Sequence, residues 1–456
     1  MRKHQRVLAT AMASAMAISL VACGGSTASS AADSTDAPAA STEAASTDST
    51  ASDEPITLTL MDQFVEGEGM SEAFRARMEV FQAEHPNVTI EEETLNTADM
   101  GTKVQTLAAA DELPDIFQVK GQMAKNFVQN GYVMDLTDIL NENSDWKAGF
   151  RDGVFSNFQI GDGTYAVPYQ VTNTMVFYNA DLFEKAGVTE FPTTWSELID
   201  VCAKLNASGV TAIELGDSPL WPAESVIMST LGNRCTGDDW YQSIRNNEGA
   251  KFTDPEFVLS LQSLYDLAAS GAFNSDVNSI DGAAQRTAFM NGEAAMMFDG
   301  SWAVAQLDAN MDPEMKANVK LAPMPAVEGG KGDAEVITGG SGWGFAVNSK
   351  LDESKRQVVV DFLTTIVGTD FATQCASSGV VSAYNPGDYT LDDSAVVAKT
   401  YFDFIDGRRF IPVYDHQLSS GLMDVMQSGL QEILNNTKDA QTLAEELQQQ
   451  YEMENG

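Results

Sequence analysis

The stretch "MFDGSWAV" sets Asp299 and Trp302 on either side of a glycine-serine pair, a carboxylate and an indole at what reads as the end of a strand. A flat aromatic can stack on the apolar face of a ring, while a carboxylate or amide bonds its polar rim. Residues of the same types recur at turns and strand ends: Trp221 in "SPLWPAES", Trp343 in "SGWGFAV", and Tyr169, Gln170 and Asn173 just beyond Pro168. Asp62 and Gln63 follow the first strand pattern, and Gln118 and Lys120 the third, at strand C-termini where α/β lobes present ligand contacts. Arg408 in "FIDGRRFIP" is a further donor for hydroxyls. Each has a plainer alternative: a core position for Trp302, a helix cap for Asp299, solvated loop for the strand-end residues.

Catalysis finds little to work with. His4 belongs to the leader, His85 ends a helix before a proline and His416 opens one, and no His/Cys cluster has metal spacing. The chain has no G-x-S-x-G, no Walker loop and no G-x-G-x-x-G between strand and helix. Gly339-Gly340-Ser341-Gly342 precedes a strand, so it makes no phosphate cradle at a helix N-terminus. With 66 Asp and Glu residues, pairs at hydrolase spacing arise by chance. No catalytic residue, metal ligand or cofactor is assigned.

The elements that must position these residues alternate. Ile56 to Leu60 has period two, Phe74, Met78 and Phe81 recur at helical spacing before His85-Pro86, Val88 to Glu92 is strand-like, Met100 to Ala110 helical, and Pro114 to Val119 strand-like. That alternation predicts an α/β lobe with a largely parallel core. Helices are expected over Trp195 to Leu205, Pro255 to Ala269, Ala283 to Met290, Lys355 to Val367, His416 to Leu434 and Ala440 to Gln450, with strands over Ala294 to Phe298 and Trp343 to Val347. From Ile56 onward about 400 residues remain, enough for two lobes.

Ahead of them, Arg2, Lys3, His4 and Arg6 precede an apolar segment from Val7 to Val21 that is short for a membrane span. Residues 1–22 therefore read as a secretory signal. Leu20-Val21-Ala22-Cys23 resembles the bacterial lipobox, which implies a diacylated Cys23 at the mature N-terminus. Residues 24–55 hold only Ser, Thr, Ala, Gly, Asp, Glu and Pro, too little apolar surface to offset ordering entropy. With Cys23 they form a disordered tether spanning roughly 30 Å as a random coil.

A formal charge of -40 argues against nucleic acid and anionic surfaces as partners and is indifferent to neutral ligands. Cys202, Cys235 and Cys375 remain beside Cys23; Cys202 lies on an apolar helical face, and a Cys202–Cys235 disulfide stays open.

Gly163 to Gln170, Val176 to Gly187 and Pro192 to Trp195, with Ala288 to Met297 before Gly300-Ser301-Trp302, and Gly339 to Asn348 before Glu353 to Gly368, closely resemble the extracellular solute-binding proteins of family 1. These are sugar-binding subunits of ABC importers related to maltose-binding protein, and the resemblance covers nearly the whole chain after the tether. Tyr178, Asn179 and Trp195 belong to its best-matching motif and read as structural; Met175 departs from it, standing where the family has a small residue.

The resemblance implies a two-lobed periplasmic-binding-protein-like α/β fold of type II, with ligand held in a hinged cleft. Crossovers are expected near Pro168, Pro323 and Gly379, giving one lobe of residues 56–168 and 323–378 and another of 169–322 and 379–456. It further implies a non-enzymatic, monomeric receptor on the outer face of the cell membrane, passing a carbohydrate to an ABC permease and touching the membrane only through Cys23. A polyamine, other cation or peptide ligand remains an alternative, and a surface glycan hydrolase a remote one.

Overall fold

Residues 54–66 and 70–455 are described by the computed structural model. The leader, Cys23 and most of the tether lie outside the described residues. Among those described, no helix is long and apolar enough to cross a membrane.

Local sequence explains the elements it predicted. The helix Ser71–Glu84 buries Ala73, Phe74, Met78 and Phe81 on one face and stops at His85, which the following proline excludes from helical geometry. Thr194 and Glu197 form a reciprocal capping box that starts the helix Trp195–Ala207. Pro255–Ala269 and Trp343–Val347 occupy the predicted spans. The last long helices begin later or run further than their patterns: His416 closes a short 3-10 turn, and the helix starts at Ser420 with Ser419 as cap.

Two sheets organise the two lobes. In the first, Val88–Thr94, Ile56–Asp62 and Ile116–Lys120 run parallel, and Trp343–Val347 lies antiparallel beside the last, followed by Val167–Pro168. In the second, Thr172–Asn179 is central and antiparallel to Ala294–Gly300, Val319–Ala322 and Ile337–Gly340; Thr211–Glu214 and Phe410–Ile411 form the edges. The largely parallel core therefore holds for three strands of the first sheet, while the second is mixed. Each lobe has its own apolar core, around Phe74, Phe117, Phe345 and Phe362 in one and Ile213, Leu261, Met296 and Leu430 in the other.

The chain crosses between the sheets from Pro168 to Thr172. It does not return near Pro323. Arg234, buried in the second lobe, donates to the carbonyls of Met324 (3.0 Å), Asp333 (2.7 Å), Ala334 (2.9 Å) and Val336 (2.6 Å), and so holds the following loop against its own lobe. Ile337–Gly340 then adds to the second sheet, and the return falls between Gly340 and Trp343. The glycine-rich run is thus the crossover itself.

The third crossing likewise falls later than Gly379. Val380, Ala383 and Tyr384 still pack in the first core, and the segment pairs with the first crossover through Val171 N–H to Val381 O (3.0 Å) and Ala383 N–H to Tyr169 O (3.1 Å). The chain re-enters the second lobe at the helix Val396–Ile405. Cys202, Cys235 and Cys375 are all free and buried, with no Cys202–Cys235 bond.

Candidate functional site

The first lobe brings Gln63, Gln118 and Tyr169 together. Gln118 Oε1 accepts from the Gln63 backbone N–H (3.1 Å) and from the Tyr169 hydroxyl (3.2 Å); Gln63 Nε2 donates to the same tyrosine, and Thr97 donates to Gln63 Oε1 (2.8 Å). Tyr169 is fixed edge-on to Phe64, with ring centroids 5.1 Å apart. Gln118 Nε2 is buried without an acceptor, a free donor on a rigid strand.

Asp62 ends its strand wholly buried and turned into its own lobe. Its Oδ1 accepts from Phe64 N–H (2.9 Å), its Oδ2 finds no donor, and Glu92 lies beside it. Burial first, then the hydrogen bond and charge of Glu92, push the Asp62 carboxyl up to about 8. Glu92 goes the other way despite its own burial, held down by the neighbouring Asp62 carboxyl and by Arg75, which pairs with it.

Two residues on from Gln118, Lys120 carries its ammonium 5.5 Å above the Trp343 ring, its register partner on the neighbouring strand. The same ammonium reaches Asp415 Oδ2 of the second lobe at 2.6 Å. Asp415 and Glu224 were not singled out by the sequence. Glu224 lies fully buried in the π-helical turn Ala223–Met228, and Ser225 (2.8 Å) and Ser229 (3.2 Å) donate to its carboxyl. Such turns are frequent at functional positions, and no sequence pattern announced this one.

Burial, and after it the charge of Asp415, push Glu224 up to about 8. Asp415 moves below its ordinary value: burial opposes this, but the Lys120 ammonium outweighs it. His416, also buried, is held below its usual value, so it stays neutral beside Asp415 at neutral pH.

Trp221 stands three residues before Glu224 and meets Trp302 edge to face, centroids 5.7 Å apart at 71°. Both indoles are half-buried. Trp302 folds back over the end of its strand because Gly300 has no Cβ for it to strike. Asp299, buried behind it, accepts from Gly300 N–H (2.8 Å), Gln285 Nε2 (3.2 Å) and Arg286 (3.3 Å). Burial raises its pKa nonetheless.

Asn173, at the start of the central strand, accepts from Tyr401 (2.7 Å), while its Nδ2 is buried without a partner. Gln170 sits in the first crossover, where its carbonyl accepts from Ser341 (2.8 Å) of the second. Arg408 is not brought to the others. Its guanidinium lies 4.3 Å over Phe404 and is spent on the Phe404 and Glu335 carbonyls and the Glu335 carboxylate (2.7 Å). Among the described residues no three His, Cys, Asp or Glu side chains gather as a metal site.

Two α/β lobes, each with its own sheet and core, are joined by paired crossovers and bridged by the Lys120–Asp415 ion pair. The chain belongs to the bacterial extracellular solute-binding proteins, whose family model matches residues 62–369.

A structure from work on xylan utilization by the thermophilic bacterium Caldanaerobius polysaccharolyticus is 25% identical, with TM-score 0.78, covering 86% of this chain and 99% of its own. A chitin oligosaccharide binding protein, 24% identical, shares the fold at TM-score 0.80 over 88% of this chain and 98% of its own. Among curated relatives, an uncharacterized ABC transporter extracellular-binding protein of Pyrococcus horikoshii is 27% identical over 267 residues, 57% of this chain and 58% of its own length. This chain therefore spans little more than half of that relative.

Proposed function

We propose that the protein is the receptor of an ABC importer, held at the outer face of the membrane by lipidated Cys23, that captures a neutral oligosaccharide between its lobes and passes it to a permease. The observation that carries this reading is the Trp221–Trp302 pair, two half-buried indoles set edge to face beside the enclosed carboxylate of Asp299. Indole faces take the apolar side of a pyranose, and Asp299 with the amides of Gln63, Gln118 and Asn173 offers bonds to its hydroxyls. In the first lobe, Tyr169 holds the Gln63 and Gln118 amides in place, and Lys120 lies over Trp343.

Charge agrees with a neutral ligand. Lys120 balances Asp415, and Glu224 holds its proton at neutral pH, so the acids at the join present little net charge. A polyamine, other cation or peptide in the same cleft is the second reading, favoured by the formal charge of -40. The tether, about 32 residues of coil, keeps a monomeric receptor near its transporter and raises its effective concentration there. No catalytic role is part of this reading.

A thermal-unfolding screen against mono- and oligosaccharides, polyamines and short peptides tests it. A ligand at about 100 times Kd stabilises by roughly 2.7 kcal/mol. A shift confined to a sugar series is expected; one confined to polyamines or peptides would keep the fold and overturn the ligand.

A further inference from the structure

The short turn Tyr414–His416 of the second lobe is wedged into the first lobe at three places. Lys120 Nζ meets Asp415 Oδ2 at 2.6 Å, with only 16% and 5% of the two side chains exposed. Asn157 of the first lobe lies 3.4 Å from His416 Nδ1, accepts from Gln417 Nε2 (2.8 Å) and donates to the Ser341 carbonyl of the crossover (2.9 Å). Two glycines make the fit possible. A Cβ on Gly121 would lie 2.9 Å from the His416 carbonyl, and one on Gly342 2.9 Å from His416 Nε2. Side chains at either position would push the turn away.

An ion pair this enclosed is sustained only while both partners stay in place, because a single charge left behind is strongly destabilising. The partners come from different lobes, 295 residues apart in the chain. Glu224 and Ser225, which lie close to Asp415, belong to the turn that follows Trp221.

We propose that Lys120 is a positioning residue rather than a ligand contact: through Asp415 it seats the 414–416 turn on the first lobe and so sets the angle at which the lobes rest. It biases the open and closed populations before any ligand arrives, and a ligand's apparent affinity carries that bias. This rests on the two-lobed receptor reading but not on the ligand being a sugar.

The test is made on the ligand-free protein, so it stands apart from the ligand assignment. Amide exchange is followed in the peptide covering residues 413–418, and the radius of gyration is measured by small-angle scattering. Lys120→Met is expected to speed exchange in this second-lobe peptide and enlarge the radius, with Lys120→Arg restoring both. A disturbance confined to the first lobe would leave that peptide unchanged, and an unchanged peptide with an unchanged radius in folded Lys120→Met overturns the proposal. Should Lys120→Met not fold, Asn157→Ala removes contacts with His416 and Gln417 without stranding a charge. It should speed the same exchange at least about twofold, and no change there overturns the proposal equally.

Discussion

Asp62→Asn turns a buried proton into a measurable slope. The wild-type carboxyl is raised from 3.8 to about 8, by burial first and by Glu92 second. A raised acid favours the folded state below its unfolded pKa, and that contribution drains away as pH climbs through the folded value. Between those limits the native Asp62–Glu92 pair keeps one proton that the unfolded chain has lost. One proton changes stability by about 1.4 kcal/mol per pH unit, so from pH 5 to 8 this pair costs the wild type on the order of 4 kcal/mol.

Asparagine copies the protonated acid: its oxygen can accept from Phe64 N–H and its amide can donate to Glu92. Glu224 at about 8 and Asp217 and Glu214 at about 7 titrate in the same direction, so the difference between the two proteins is the quantity to read. Urea unfolding at pH 5, 6, 7 and 8 should show Asp62→Asn gaining on the wild type by about 1.4 kcal/mol per unit. Parallel stability curves would refute the retained proton.

Two further substitutions separate ligand binding from folding. Trp302→Ala removes one indole of the edge-to-face pair and should raise Kd for the sugar about 10- to 100-fold by calorimetric titration, with the fold retained. Arg234→Met strands the carbonyls that hold the 324–336 loop and should lower stability by on the order of 3–5 kcal/mol in urea; a loss under about 1 kcal/mol would mean the loop holds itself.

Local signals carried most of the fold. Period-two alternation located Ile56–Asp62, a proline at the first position located Pro255–Ala269, and a glycine-bounded apolar run located Trp343–Val347. The second and third crossovers did not yield to local reading because their places depend on distant partners. Pro323 looks like a chain turning point, yet Arg234 binds the loop beyond it to the second lobe.

The site divides the same way. Trp221, Trp302 and Asp299 were singled out by residue type and setting and remain candidates; folding sets the two indoles edge to face, with Asp299 buried beside Trp302. Asp415 and Glu224 were not singled out, since one acid among 66 gains meaning only when folding buries it against Lys120. Arg408 shows the converse: an arginine after a glycine turn reads alike whether it faces a ligand or, as here, Glu335.

Titration calorimetry of the purified protein with a series of neutral oligosaccharides tests the central claim most directly. One-to-one binding to one member of the series is expected, with a negative heat-capacity change from burial of apolar ring faces between the lobes. No heat with any sugar, and one-to-one binding of a polyamine or a peptide instead, would contradict it.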